Sequence, residues 1–144
     1  MSKLTRIIAT QNSFSPLVLR VPVGLILAAH GSQKLFGWFG GYGLEGTGKW
    51  MASIGLEPGL LMAALSGSAE FFGGVLLLLG LLTRPSALVV AFTMAVAIFS
   101  VHIHNGLFMS NNGYEYALAL LAAAVSLIIS GGGRASVDNL IASK

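Results

Sequence analysis

The side chains able to do chemistry in this sequence are few, and most stand inside long apolar runs. Glu70 is the one charged residue between Gly59 and Leu82, and His102 lies near the end of the run Pro85–His104. Arg20, His30 and Lys34 interrupt the run Ser15–Trp38, and Glu115 opens a fourth, Tyr114–Ser130. A carboxylate and an imidazole can pass protons, because imidazole titrates near neutrality. An arginine or lysine beside them supplies compensating charge. Placing such a charge in the bilayer costs about 2.5–3.5 kcal/mol, so these residues are expected to face the bundle interior with a partner or a task.

Helical spacing groups them. Arg20, Gly24, Leu27, Gly31 and Lys34 recur on one face, with His30 beside that stripe. Ala63, Ser66, Gly67, Glu70, Gly73, Gly74 and Leu77 form a second stripe, so Glu70 is flanked by small residues that admit a neighbouring helix or a ligand. At a rise of about 1.5 Å per residue, Glu70 falls half-way through its span. His30, Lys34, His102 and Glu115 fall towards the outer side. These five residues are expected to converge in an outward-opening polar cavity, and the long side chain of Arg20 could reach up towards Glu70. Glu70 and His102 are the candidates for proton transfer. Arg20, His30, Lys34 and Glu115 are the candidates for holding a cofactor. Each has a structural alternative: Lys34 would snorkel to the interface, Arg20 would anchor the cytoplasmic side or balance Glu70, and Glu115 would complement a helix dipole. His104, two residues from His102 and pointing away from it, reads as interfacial.

Composition names the elements that must position these groups. Of the 144 residues, 55% are hydrophobic and 9% charged, against about 25% charged in soluble domains. Mean hydropathy is +0.82. The chain is an all-α integral membrane protein, and soluble enzyme folds are excluded. A net charge of +3 is too scattered for a phosphate-binding face, so no nucleic-acid partner is expected. The absence of Cys removes disulfides and thiolate-bound metals. The four apolar runs, about residues 15–38, 59–82, 85–104 and 114–130, each fit the roughly 17–25 helical residues that cross a bilayer. They predict one four-helix bundle filling residues 1–144.

Other features are quickly weighed. The stretch Met1 to Pro16 has no apolar core or small-residue cleavage site, so no cleavable signal peptide is expected. Leu44, Trp50, Met51 and Ile54 alternate with Glu45, Lys49 and Ser53, as in a short interfacial helix or, equally, an irregular glycine-rich loop. Gly43–Trp50 nearly matches a phosphate-binding loop, but Trp50 stands where a Ser or Thr must hold magnesium. Ala63, Gly67 and Gly74 suit close helix packing, within the chain or in an oligomer. Residues from Arg134 onward read as a small cytoplasmic tail.

As a set, these residues resemble the DoxX family of small four-helix inner-membrane proteins. The resemblance spans Arg20 to Asp138. It rests on Arg20 with Gly24, His30-Gly31 and Lys34; on Glu70 with Gly73-Gly74 and the run to Thr83-Arg84; on His102; on Asn112-Gly113 with Glu115-Tyr116; and on Gly132-Gly133-Arg134 with Ser136 and Asp138. A proline is usual in the family where Gly132 stands. The resemblance implies a multi-pass protein of the inner (plasma) membrane, and members are linked with quinone-coupled oxidation and membrane redox complexes. A quinone-associated subunit working with a redox-protein partner is therefore the leading expectation. A non-enzymatic scaffold or assembly factor, and a small-solute or proton carrier, are the alternatives. Neither haem nor metal is expected: His30 and His102 fit a hydrogen-bonded network as well as axial ligation.

Six of the eight Lys and Arg residues (Lys3, Arg6, Arg20, Arg84, Arg134 and Lys144) lie on the side of the two termini. The positive-inside rule therefore predicts both termini in the cytoplasm. Reporter fusions at Lys144 and within Gly43–Lys49 test this; an outer signal from the C-terminal fusion would overturn it.

Overall fold

The computed structural model describes residues 7–143, and its helices follow from the apolar runs and from the residues that break them. Lys3, Arg6 and Lys144, half of the basic residues assigned to the terminal side, lie outside the described residues. Helix α1 (Ser15–Phe36) carries Pro16 in its first turn, where no N–H partner is needed. Helix α2 (Gly43–Ser53) is the short loop helix, with Thr47, Gly48 and Met51 buried. Helix α3 (Gly59–Leu79) stops at Gly80, whose φ of 66° lets the Leu81 N–H return to the Leu76 carbonyl at 3.0 Å. Helix α4 (Thr83–Ala97) continues through a π-helical turn, Ile98–His102, and a 3-10 turn, Ile103–Asn105. Helix α5 (Glu115–Ser130) and a short α6 (Val137–Ala142) complete the chain.

Three of these, α1, α3 and the segment Thr83–Asn105, are long and apolar enough to cross a membrane. Helix α5 has 16 residues, about 24 Å of helix against a hydrocarbon core of roughly 30 Å. After Glu115 it carries no charge, and it buries Leu120, Ala124 and Leu127 with Val90 and Met94 of α4 in the central core. The fold is thus an all-α membrane bundle with a shorter fourth helix. Helix boundaries differ from the sequence reading where local hydrogen bonds decide them. Helix α4 starts at Thr83 rather than Pro85, because Asp138 accepts the N–H groups of Leu82 and Thr83 at 2.8 and 2.9 Å and caps it from outside.

That cap corrects the reading of the C-terminal residues as a mere tail. Asp138 is 1% exposed, its own N–H donates to Gly80 O at 2.9 Å, and the Ser136 hydroxyl caps α6 through the Asn139 N–H. The segment closes the end of the bundle where both ends of the described chain meet: Gln11 N–H donates to Ser130 O and Arg134 N–H to Ser13 O.

The most extensive packing is between antiparallel α1 and α3. Gly24 meets Gly74, and seven residues further along α1 Gly31 meets Gly67. A Cβ on Gly24 would lie 2.7 Å from Gly74 O, one on Gly74 2.6 Å from Gly24 O, and one on Gly31 2.7 Å from Gly67 O. Backbone therefore touches backbone, the arrangement small residues allow in membranes. Because the obstructing atoms are main chain, Gly31→Leu is expected to cost upward of about 3 kcal/mol. It should abolish the monodisperse species in size-exclusion chromatography; wild-type melting in detergent would contradict the packing.

Candidate functional site

The close approach of α1 and α3 builds the site. A Cβ on Gly67 would lie 2.8 Å from Leu35 Cδ2 and 3.2 Å from Lys34 Cβ, so the glycine leaves room for both side chains to lie against α3. One turn on from Gly67, Lys34 Nζ donates to Glu70 Oε2 at 2.5 Å. The Glu70 side chain is 8% exposed and that of Lys34 24%. Charge-assisted contact cancels the net charge at a depth where either ion alone would be costly.

Beside the pair lies a cavity of about 1080 Å³, walled by α1, α3, α4 and α5 and met by Trp50 and Met51 of α2. Lys34, Glu70, His30, His102 and Tyr116 all line it. The rings of His30 and Tyr116, from α1 and α5, have centroids 6.2 Å apart and are tilted by 49°. His102 ends the π-helical turn of α4, a wider turn of the kind that often re-aims a functional side chain. Its Nδ1 is 2.8 Å from the Asn112 carbonyl. A carbonyl only accepts, so Nδ1 donates and the neutral ring keeps Nε2 as an acceptor. Asn105 donates to the same carbonyl at 3.2 Å, tying the end of α4 to the loop before α5. The remaining wall is mostly apolar, with Leu27, Met94 and Leu120 among its side chains.

Four of the five residues expected to converge do so: His30, Lys34, Glu70 and His102. Glu115 does not line the cavity. Its Oε1 accepts the Met109 N–H at 2.6 Å, which pins the preceding loop to the start of α5. Arg20 does not reach towards Glu70 either. It points to the terminal end of the bundle and is 1% exposed. There its Nε donates to Gly132 O at 3.0 Å, its Nη1 to Leu77 O at 3.0 Å and Leu78 O at 2.5 Å, and its Nη2 to Ala135 O. The last carbonyls of α3, of which Leu77 O also accepts the Gly80 N–H, carry the negative end of the helix dipole, so they draw the guanidinium down. His104 is exposed.

Sequence reasoning missed Tyr116 and Asp138. Tyr116, named in the sequence only as part of the family resemblance, recurs with Leu120, Ala123 and Leu127 on the core-facing stripe of α5, which is the signal that places it. Among the described residues no three His, Asp or Glu side chains gather as a metal-ligand set. The ammonium, imidazole and phenol groups at the cavity suit the oxygens of an organic ligand.

Comparisons with known proteins agree with this architecture. The DoxX family profile matches residues 15–103, more than half of the chain. "Putative oxidoreductase CatD" of Bacillus subtilis (strain 168) is 36% identical over 111 residues, covering 77% of this chain and 76% of that protein. "Inner membrane protein YqjF" of Escherichia coli (strain K12) is 32% identical over 134 residues, 89% of this chain and 92% of its own. "Inner membrane protein YphA" of the same organism is 29% identical over 127 residues, 85% and 86% of the two chains. No solved structure matches the chain. With a profile match over its first three long helices and relatives aligned along most of their length, this chain belongs to the DoxX family and resides in the inner (plasma) membrane.

Proposed function

We propose that this chain is the membrane subunit of a quinone-linked redox system, holding quinone between its helices while a partner redox protein exchanges the electrons. The observation that carries this reading is one cavity combining apolar walls with Lys34, Glu70, His30, His102 and Tyr116. A quinone ring suits that set. Its two carbonyl oxygens need donors, which Lys34, Tyr116 and a histidine N–H supply, and the hydroxyls of the quinol need acceptors, which Glu70 and Nε2 of His102 supply. Reduction of quinone to quinol takes up two electrons and two protons. Glu70 and His102 are the groups placed to pass the protons, Lys34 compensates the carboxylate, and His30 with Tyr116 positions the ring. The name oxidoreductase carried by the B. subtilis relative supports the same class of chemistry.

Orientation follows the basic residues. Arg84 and Arg134 sit at the terminal end and Lys49 at the other, while Lys34 is taken up by Glu70. The positive-inside rule then puts the termini in the cytoplasm and the cavity towards the outer side. A carrier would need access from both sides, whereas Leu77 and Leu127, both fully buried, and the Arg20 network lie towards the terminal end. A scaffold would bind no quinone.

Protein purified in mild detergent and extracted with organic solvent should yield about one quinone per chain. His102→Gln and His30→Gln should each weaken retention about tenfold, or about 1.4 kcal/mol, with melting unchanged. Quinone no higher than the co-purifying lipid background, in the wild-type chain, would overturn the reading in favour of a scaffold.

A further inference from the structure

The cavity is not sealed on its lipid side, and the phase of α4 shows where it opens. The buried stripe of α4 runs through Ala87, Val90, Ala91 and Met94. At about 100° per residue, Val89, Phe92 and Val96 fall on the face turned away from that stripe. They are 49%, 72% and 39% exposed. Yet all three line the cavity. A side chain turned away from the core can line an interior cavity only where that cavity runs out past the edge of its helix.

Helix α3 supplies the other edge. Leu65 and Ala69 line the same cavity on the side of α3 next to Gly73, and Leu65 is 57% exposed. Gly73 itself faces α4: a Cβ there would lie 3.0 Å from Val90 Cγ2. The two helices are thus in contact at Gly73 and Val90, near their shared turn, and further from the turn the cavity lies between them. Every side chain named along this opening is apolar or small. The charged groups, Lys34 and Glu70, lie at its inner end.

We infer that the cavity is a lateral binding site, loaded from within the bilayer through a window between α3 and α4, for an amphiphile with its polar ring at Lys34 and Glu70. The apolar chain of that ligand passes between Leu65 of α3 and Phe92 and Val96 of α4 into the lipid. This rests on the quinone reading and deepens it: the ligand is a chain-bearing, membrane-dissolved quinone rather than a water-soluble one. Volume agrees. About 1080 Å³ lies just above the roughly 300–1,000 Å³ that suits compact ligands, so a ring alone leaves space that a chain fills.

The test uses the intact chain in lipid nanodiscs with a benzoquinone bearing a ten-carbon chain that ends in a photoreactive diazirine. A fatty acid carrying the same diazirine is the parallel probe. After illumination, mass spectrometry of the cross-linked peptides should place the quinone chain on Leu65, Val89, Phe92 or Val96. Excess unlabelled chain-bearing quinone should suppress that label at least tenfold. Cross-links instead at Trp50, Leu56 or Met109, at the loop end, would overturn lateral loading while leaving quinone binding intact. Labelling of the window by the fatty acid but not by the quinone probe would keep the window and remove the quinone. No competable label from either probe would overturn both.

Discussion

Main chain meets main chain where α1 crosses α3, and the rest of the site depends on that contact. Gly24 against Gly74 and Gly31 against Gly67 bring the two helices closer than any Cβ would permit. Lipid offers no hydrophobic drive for helices to associate, so such close packing has to supply it. The same contact fixes the register of Lys34 against Glu70 and makes a 2.5 Å ion pair between them. A Cβ on Gly67 would lie 2.8 Å from the Leu35 side chain and 3.2 Å from the Lys34 Cβ, so both would have to shift. Were the pair lost, a charged residue in each of two neighbouring spans would stand unpaired in the bilayer, a costly state.

The opposite end of the bundle solves a different problem with similar residues. The carbonyls that end α3 and the N–H groups that begin α4 both face the short turn around Gly80, where water is largely excluded. Arg20 satisfies the first set and Asp138 the second, each at 1% exposure. The two ionic groups thus act on backbone at the end of the structure while Lys34 and Glu70 act at the cavity. Between them lies an apolar core including Val23, Leu27, Leu77 and Leu127. This division separates a base where buried charged side chains bind the backbone ends of α3 and α4 from a half of the bundle where α3 and α4 leave space between them.

Much of this was legible in the sequence, because membrane helices declare themselves by apolar length and because an ionisable residue in a span needs a reason. The spacing of Gly67 and Gly74 marked the packed face of α3, Gly24 and Gly31 fell on the Arg20–Lys34 stripe that meets it, and His30, Lys34, Glu70 and His102 do share one cavity. Arg20 misled because reach was judged from side-chain length, whereas the carbonyls at the end of α3 decide its direction. Glu115 lay at the right level but is held by the loop N–H of Met109, a contact set by loop geometry that no periodicity encodes. Asp138 looked like part of a solvated tail, since its partner N–H groups lie more than fifty positions earlier in the chain. Tyr116 carries the helical phase of the cavity wall, in register with Leu120, Ala123 and Leu127.

The central claim, that Lys34 and Glu70 form one coupled pair joining α1 to α3 at the head of the cavity, is tested most directly by a double-mutant cycle. Stability of the wild-type chain, Lys34→Gln, Glu70→Gln and the double variant would be measured by reversible denaturation in mixed detergent micelles. Each single change leaves a charge without its partner, so each is expected to cost about 3 kcal/mol or more. The double variant is expected to recover part of that loss, with an interaction energy of about 1–3 kcal/mol. Strict additivity of the two single changes would contradict the account.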